Sequence, residues 1–441
     1  MITSAAFSGK RYAVLGLARS GLAAAEALLA SGAQVVAWDR QDVARAALEG
    51  RAQLADPLEI DLAGFAGVVV SPGVPLNTHP IVEHARAAGV PVIGDIELFA
   101  LARADLPPHK VVGITGTNGK STTTALVRHL LESAGIPALM GGNIGVPIMA
   151  QAPLPAGGGY VLELSSYQID LTRSLACDAA ALTNITPDHL DRYAGFEGYV
   201  ASKARLFAMQ EAGQFAVFGC EDEPTCAIQR AEAARRSPGR AACMETGVWT
   251  EHQPGWPSLQ GPHNLQNVAI AAALVSQFGL TREQVLAGLA SFKGLAHRME
   301  PLGEFGGVLF VNDSKATNPA STAPALAAYP PAPHKRLHWI CGGLPKGEGL
   351  EECEPFFGNV AAAYTIGEAG PRFAELLEPA MHVERCEMLC EAIQRAIAAA
   401  RPGDVVLFSP ACASFDQFRD YEMRGDAFRE FVNELTGRSA A

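Results

Sequence analysis

Residues 110–124 read Lys-Val-Val-Gly-Ile-Thr-Gly-Thr-Asn-Gly-Lys-Ser-Thr-Thr-Thr, and this stretch decides the fold of the middle of the chain. The apolar run at 111–114 predicts a buried strand, and the pattern from 122 to 134 predicts a helix. A glycine-rich turn between a strand and a helix can hold phosphate, because its backbone N–H groups converge and the helix dipole favours negative charge. We therefore predict an ATP-phosphate loop in which Lys120 supplies positive charge and Ser121 a hydroxyl for Mg²⁺.

The loop departs from the general pattern GxxxxGK[ST] at one position. Ile114 stands where that pattern has its first glycine. The alternative is a glycine-rich turn with no ligand, but the Lys-Ser pair after the second glycine favours phosphate binding. The residues predicted to bind ATP here are Gly116, Thr117, Asn118, Gly119, Lys120, Ser121 and Thr122.

Composition limits the class of protein. The chain has 441 residues, enough for about three domains. Hydrophobic residues make up 49% and the net charge is −12, which favours a large core and argues against nucleic-acid or anionic-membrane binding. No run of 18 apolar residues and no signal-like start occur, so we expect a cytoplasmic protein without a membrane span. The nine scattered cysteines are expected to be reduced, mostly buried thiols.

The N-terminal part has a Rossmann-like pattern. Residues 11–16 predict a strand, Gly16 to Gly21 a turn into a helix, and residues 34–38 a second strand that ends at Asp39. Ala18 replaces the second glycine of the dinucleotide fingerprint and limits the approach of a pyrophosphate. A dinucleotide cofactor is therefore the weaker interpretation, and a nucleotide or a purely structural turn fits as well.

Several polar residues in the middle of the chain have two interpretations. Glu163, at the end of a predicted strand, is either a solvated edge residue or a second Mg²⁺ ligand, and the upstream phosphate loop favours the metal. Residues 184–193 are either a polar turn or a further nucleotide-site loop. An isolated helical lysine such as Lys203 is most often solvent-facing, and nothing in its local spacing indicates otherwise. Asn264 and Asn267 share one helix face, which suits either capping or recognition of an adenine edge.

The last third of the chain alternates strands and helices again. Its apolar strands end in polar loops, which a doubly wound sheet gathers at one edge to form a single site. The stretch 221–262, which precedes this part, is polar and weakly patterned and predicts strands and loops. The strands predicted here are 308–311, 337–340, 362–366 and 405–408.

The phosphate-loop sequence Gly-Thr-Asn-Gly-Lys-Ser-Thr resembles that of the Mur ligases and their folylpolyglutamate synthetase relatives. These enzymes use ATP to join an amino acid to a carboxylate. Six more motifs extend the resemblance over nearly the whole chain, in the order found in the Mur ligase branch that adds D-glutamate. They are Glu163-Leu-Ser-Ser-Tyr-Gln, Asp188-His-Leu-Asp-Arg-Tyr, His263-Asn-Leu-Gln-Asn, His297-Arg-Met-Glu, Asn312-Asp-Ser-Lys-Ala-Thr-Asn and Ser409-Pro-Ala-Cys-Ala-Ser-Phe-Asp-Gln-Phe. The motif Asp-Asn-Pro-Arg, typical of the diamino-acid-adding branch, is absent.

The resemblance implies a reaction and an α/β architecture of three domains. The reaction is ATP-dependent addition of D-glutamate to UDP-N-acetylmuramoyl-L-alanine through an acyl phosphate, giving ADP and phosphate, in peptidoglycan precursor synthesis. Residues 1–101 would form a Rossmann-like UDP-substrate domain and residues 102–298 a central P-loop ATPase-type parallel sheet. Residues 299–441 would form a Rossmann-like glutamate domain. A cytoplasmic monomer is expected, with small-molecule substrates and no nucleic acid or membrane partner.

The resemblance also assigns roles to residues. The catalytic and metal residues would be Lys120, Glu163, His189 and Lys203, with Ser121 and Glu163 holding Mg²⁺ and Lys203 carbamylated to support two such ions. Asn264 and Asn267 would contact adenine, and Arg298 and Asp313 the phosphates and ribose of ATP. The UDP-substrate would contact Ala18, Arg19, Asp39, Arg40, Ser71, Pro72, Gly73, Asn143 and His189. The two carboxylates of glutamate would be held by Thr317, Lys346, Ser414 and the Tyr421 amide.

Two alternatives stay open. A folylpolyglutamate synthetase would share the central domain, but the UDP-type first domain and the Ser-Pro-Ala-Cys-Ala-Ser motif argue against it. A non-enzymatic P-loop switch or motor would need a guanine-reading Asn-Lys-x-Asp or a transporter signature, and the sequence contains neither.

Overall fold

The computed structural model describes residues 1–188, 192–345, 347 and 349–437. The chain forms two compact units. Unit 1 contains residues 1–245 and 269–288, and unit 2 contains residues 246–268 and those from 289 onward. Strands and helices alternate in both units, so the predicted α/β class is confirmed. In the part of the chain that the structure describes, no helix is long and apolar enough to cross a membrane.

The first sheet of unit 1 has five parallel strands in the order β3-β2-β1-β4-β5. Because the order reverses between β1 and β4, the loops after these two strands lie at the point where open α/β sheets bind ligands. The strands are β1 Arg11–Leu15, β2 Gln34–Trp38, β3 Gln53–Leu54, β4 Gly67–Val70 and β5 Val92–Ile93. The helices are α1 Arg19–Ala30, α2 Asp42–Ala46, α3 Ile81–Ala87 and α4 Asp95–Ala102.

The second sheet of unit 1 has six parallel strands in the order β11-β10-β9-β6-β8-β7. Its central strand, β6, lies between β8 and β9, so the phosphate loop after β6 emerges between the ends of two other strands. The strands are β6 His109–Thr115, β7 Ala138–Gly142, β8 Gly158–Glu163, β9 Ala179–Leu182, β10 Phe215–Phe218 and β11 Ala241–Cys243. The helices are α5 Lys120–Ser133, α6 Ser166–Asp170, α7 Gly195–Ala208 and α8 Glu223–Arg235. Helices α9 Pro262–Ser276 and α10 Arg282–Ser291 each have residues in both units.

Unit 2 contains one six-stranded sheet in the order β12-β13-β17-β14-β15-β16. Only the β12–β13 pairing is antiparallel among these strands. Apolar clusters cover both faces of the sheet. The strands are β12 Glu300–Phe305, β13 Val308–Asn312, β14 Leu337–Gly342, β15 Val360–Ile366, β16 His382–Glu387 and β17 Val405–Phe408. The helices are α11 Pro319–Ala327, α12 Gly370–Leu377, α13 Leu389–Ala399 and α14 Tyr421–Leu435.

Two expectations from the sequence are wrong. The stretch 221–262 contains the 13-residue helix α8, where only strands and loops were predicted. Local signals form this helix despite its weak apolar pattern. Asp222 caps it by accepting a hydrogen bond from the Thr225 amide, and a proline occupies its first turn. The cysteines are also not all thiols, because Cys220 and Cys243 are joined by a disulfide at the neighbouring ends of β10 and β11. Seven others are free, five of them buried.

Candidate active site

The phosphate loop requires glycine at two positions. Gly116 has φ +143°, and a Cβ atom there would lie 1.9 Å from Thr183 Oγ1. Gly119 has φ +85° and occupies the N-cap of α5, where no side chain caps the helix. Backbone of this kind favours glycine, and an uncapped N-terminus leaves amides for an anion. The loop therefore has the geometry of a phosphate cradle.

The segment that follows β9 holds the loop in shape. Asn184 O accepts from the Thr117 amide at 2.8 Å, and Asn184 Oδ1 accepts from the Asn118 amide at 2.9 Å. Thr183 Oγ1 donates to Asn118 O at 2.6 Å. Thr122 is half-buried in the first turn of α5. Because several backbone groups of the loop have fixed partners, the loop is preorganised rather than formed by its ligand.

Two lysines converge on one carbonyl of this loop. Lys120 Nζ donates to Gly116 O at 2.9 Å and to Thr117 O at 2.6 Å, and Lys203 Nζ donates to Gly116 O at 2.7 Å. Lys203 is 1% exposed and lies 4.5 Å from the centre of the Tyr199 ring. Burial, reinforced by the charge of Lys120, holds the pKa of the Lys203 amine well below its usual range. The solvent-facing interpretation of Lys203 is therefore wrong.

Glu163 ends β8 as a buried carboxylate that accepts two side-chain hydrogen bonds. Ser121 Oγ donates to its Oε2, and Asn143 Nδ2 donates to its Oε1 at 3.0 Å. No group of three or more His, Cys, Asp or Glu side chains within the described ranges is arranged to hold a metal. One carboxylate and one hydroxyl nevertheless fit Mg²⁺, which uses few protein oxygens and completes its shell with water and substrate phosphates.

The predicted UDP-substrate loops meet at the switch point of the first sheet. Asp39 Oδ2 accepts from the Leu17 amide at 2.7 Å, and Ser71 Oγ donates to Gly16 O at 2.8 Å. These two bonds join the loops after β1, β2 and β4. Arg19 reaches the loop that contains Asn143, where its Nη2 donates to Gly145 O at 2.5 Å. The remaining predicted residues of this set lie on the same loops, with Ala18, Arg40 and Gly73 exposed and Pro72 half-buried.

In unit 2, the two asparagines at the start of α9 are bonded to each other. Asn267 Nδ2 donates to Asn264 Oδ1 at 3.0 Å, and Asn264 Nδ2 donates to Gln260 O at 2.9 Å. Both side chains are buried. The prediction that they share a helix face is confirmed, while an adenine contact stays a prediction.

Asp313 and Arg298, the other predicted ATP contacts of unit 2, act on each other electrostatically. Asp313 accepts from Ser409 Oγ at 2.8 Å and from the Met299 amide at 3.1 Å. Burial nevertheless raises the pKa of its carboxyl to about 7, although the nearby Arg298 charge opposes the shift. Arg298 itself is half-buried.

The predicted glutamate residues of unit 2 lie on neighbouring loops. Thr317 follows β13, Ser414 follows β17 and is buried, and Tyr421 begins α14. Lys315 Nζ donates to Tyr421 OH at 2.9 Å. The strands β13 and β17 are adjacent, so both loops leave the same edge of the sheet.

A residue that the sequence did not single out ties these loops together. Arg424 of α14 is 1% exposed. Its guanidinium donates to Ser314 O at 2.8 Å, to Cys412 O at 3.0 Å and to Ala413 O at 3.0 Å. An arginine in an amphipathic helix is usually a surface residue, so the only signal was its position shortly after the Ser409–Phe418 motif.

Two predicted residues lie outside the part of the chain that the structure describes. They are His189, predicted for the UDP-substrate, and Lys346, predicted for glutamate.

Comparison with known proteins identifies the family. The family model described as "Mur ligase middle domain" matches residues 114–238, and that described as "Mur ligase, glutamate ligase domain" matches residues 297–412. A UDP-N-acetylmuramoylalanine--D-glutamate ligase from Novosphingobium aromaticivorans is 67% identical over 99% of this chain and 97% of its own length. The chain belongs to the Mur ligase family. Ligases of the same name from Sphingopyxis alaskensis and Zymomonas mobilis are 62% and 51% identical, each over 99% of this Mur ligase and 100% of their own length.

Solved Mur ligases share the fold of this one at low sequence identity. A MurF ligase from Thermotoga maritima, solved in complex with ADP, has a TM-score of 0.62 and 17% identity, covering 98% of this chain and 95% of its own. A UDP-N-acetylmuramate-alanine ligase from the same organism has a TM-score of 0.57 and 16% identity, covering 97% of this chain and 99% of its own. The predicted Mur ligase architecture is therefore confirmed.

Proposed function

We propose that this Mur ligase uses ATP to join D-glutamate to UDP-N-acetylmuramoyl-L-alanine in peptidoglycan precursor synthesis. The γ-phosphoryl group of ATP passes to an oxygen of the alanyl carboxylate, giving ADP and an acyl phosphate. The glutamate amine attacks the acyl carbon, the C–O bond to phosphate breaks, and phosphate leaves as the new amide loses a proton. The names of full-length relatives support both substrates.

The observation that carries the proposal is the grouping of charges around the phosphate loop. Lys120 and Lys203 both donate hydrogen bonds to the Gly116 carbonyl, and Ser121 donates one to the Glu163 carboxylate. We expect Lys120 to stabilise negative charge on the transferring phosphoryl group, since fixed charges in a protected site lower the barrier of such transfers. Ser121 and Glu163 would hold Mg²⁺, which neutralises phosphate charge when bound.

Lys203 fits the carbamate that the family resemblance implies. A neutral amine, unlike an ammonium, attacks carbon dioxide; an N–C bond forms and the nitrogen releases a proton, leaving an anion. The lowered pKa of Lys203 favours that neutral form. The carbamate would supply a negative charge beside Lys120 and support two magnesium ions.

The geometry of the loops also supports proposed contacts for each substrate. The UDP-linked substrate would bind the loops joined by Asp39 and Ser71, with Asn143 and His189 near its carboxylate. Thr317, Lys346, Ser414 and the Tyr421 amide would hold glutamate, and Asn264, Asn267, Arg298 and Asp313 would hold the nucleoside side of ATP. We also propose domain boundaries after residues 101 and 298, a monomer, and a cytoplasmic location.

A phosphate-release assay that omits one substrate at a time tests the reaction. We expect release only when ATP, Mg²⁺, UDP-N-acetylmuramoyl-L-alanine and D-glutamate are all present, with formation of an amide product by mass spectrometry. Equal release without glutamate would favour a simple ATPase. Parallel reactions with L-glutamate and with a folate substrate distinguish this ligase from its relatives; a preference for either compound would overturn the proposed substrate pair.

A further inference from the structure

Arg192 connects two loops of unit 1 that come from different sheets. Its Nη2 donates to Gly73 O at 3.4 Å, in the loop after β4. Its guanidinium also lies over the Tyr167 ring, 4.6 Å from the ring centre. A guanidinium over an aromatic face is attracted by the ring electrons, and its planar shape suits the contact. Arg192 therefore joins the Ser71–Gly73 loop to helix α6.

The Tyr167 ring is supported by its helix and by a neighbouring ring. Tyr167 lies in α6, which a reciprocal capping box between Ser165 and Gln168 stabilises. The ring stacks on Tyr193 with centroids 6.1 Å apart and planes inclined by 15°. Tyr193 OH in turn donates to Asp170 Oδ2 at 2.8 Å, at the end of α6. Arg192 thus contacts a ring that the capped helix α6 and the stacked Tyr193 hold in place.

Tyr167 is also close in sequence to the proposed magnesium ligand. Helix α6 begins three residues after Glu163, which ends β8. A contact between Arg192 and Tyr167 therefore sets the Ser71–Gly73 loop relative to the strand that carries Glu163. A reacting carboxylate must be aligned with the phosphoryl group to within a fraction of an ångström, so such alignment affects the reaction.

We propose that Arg192 is a positioning residue for the UDP-linked substrate, because it braces the Ser71–Gly73 loop against the Tyr167 ring. The inference rests on the proposed function, which assigns this loop to that substrate. It predicts that the brace acts on one substrate and leaves ATP and glutamate binding unchanged.

The test compares Arg192→Ala and Arg192→Lys with a matched variant, Arg205→Ala. Arg205 also donates to a backbone carbonyl of unit 1, Thr172 O at 3.1 Å, so its removal controls for loss of one arginine. We expect Arg192→Ala to raise KM for UDP-N-acetylmuramoyl-L-alanine about tenfold. Its KM values for ATP and D-glutamate and its melting temperature should equal those of Arg205→Ala. The lysine variant should recover part of the loss, since it keeps the charge but not the planar fork.

Variants of the ring distinguish a brace from general destabilisation. Tyr167→Phe keeps the aromatic face and should behave as the wild type, whereas Tyr167→Leu should raise the same KM as Arg192→Ala. The combined variant Arg192→Ala/Tyr167→Leu should be no worse than either single one. An unchanged KM, or a parallel rise in all three KM values, would overturn the inference.

A binding titration keeps this inference separate from the proposed function. UDP-N-acetylmuramoyl-L-alanine is titrated calorimetrically into the wild type and Arg192→Ala without ATP. Weaker binding to the variant supports the brace, and equal binding overturns it. A wild type that binds this compound but forms no amide with D-glutamate contradicts the ligase proposal alone.

Discussion

Replacing Glu163 by glutamine separates the proposed metal role of this residue from its structural role. Glutamine keeps the size of the side chain but removes the negative charge. The carboxylate accepts from Ser121 Oγ and from Asn143 Nδ2, and it is 2% exposed. The amide oxygen can still accept from Asn143 Nδ2, and the serine hydroxyl can turn to accept a hydrogen bond from the new amide nitrogen. We therefore expect the free energy of unfolding to fall by only about 1–2 kcal/mol.

A second buried glutamate provides the matched control. Glu97, in the same unit, is 5% exposed and accepts from the amides of Arg173 and Ser174 at 2.7 and 3.0 Å and from Ser174 Oγ at 2.7 Å. Glu97→Gln should cost a similar free energy of unfolding, because it also converts charge-assisted hydrogen bonds into neutral ones. Glu97 lies in α4, away from the phosphate loop in the sequence, and has no proposed role in the reaction.

Kinetics and denaturation on the two variants decide between the roles. We expect Glu163→Gln to lower kcat about 100-fold or more and Glu97→Gln to change it less than about twofold, since loss of one fixed charge at a transferring group has an effect of that order. The assay is phosphate release at saturating substrates over a range of Mg²⁺ concentrations, with urea denaturation of both proteins. A Glu163→Gln enzyme with near-wild-type kcat, or equal losses of kcat in both variants, would refute the reasoning.

Four further variants test the other parts of the site. Lys120→Ala should abolish amide formation without loss of fold, as measured by phosphate release and circular dichroism; near-native activity would contradict the phosphate-loop assignment. Lys203→Ala should be nearly inactive and partly rescued by formate or acetate, and full activity without an additive would exclude the carbamate. Lys346→Ala should raise KM for glutamate far more than KM for ATP, as expected for the loss of a charge contact of about 2–5 kcal/mol. An equal rise in both KM values would contradict the assignment of Lys346 to the glutamate site. The folded pKa of Asp313, about 7, exceeds its ordinary value, so the contribution of this carboxyl to stability is lost as pH rises from about 4 to about 7. The free energy of unfolding of Asp313→Asn should therefore rise relative to that of the wild type over this range, as measured by denaturation. A pH-independent difference would refute this.

Patterns within a short stretch of sequence predicted most of the fold. Apolar runs located the central strands, and the glycines of residues 116–119 located the phosphate loop, because strand burial and backbone strain depend on neighbouring residues. The 3.6-residue period also placed Asn264 and Asn267 on one face. Helix α8 was missed because its capping signals are local while its apolar pattern is weak.

Long-range contacts explain the environments of residues for which the local sequence pattern gave no signal. Lys203 has the spacing of a surface residue, yet it is buried against a carbonyl 87 residues earlier. Arg424 and Arg192 likewise act on loops 110 and 119 residues away. Nothing in the local pattern distinguishes such an arginine from a solvated one. Their roles appear only when the sheet order brings distant loops together.

The hydrogen bonds of Arg424 also affect the order in which the chain folds during translation. Its partner Ser314 is synthesised 110 residues earlier, and at translation rates of about 5–20 residues per second roughly 5–20 s pass before Arg424 follows. During that time the Ser314 carbonyl lacks this donor, whereas the carbonyls of Cys412 and Ala413 are synthesised only 12 and 11 residues before Arg424. All residues of unit 1 have been synthesised by then. We therefore expect the loops of unit 2 to acquire their final form last, so a nascent chain stalled before residue 424 should be the form that chaperones and proteases recognise.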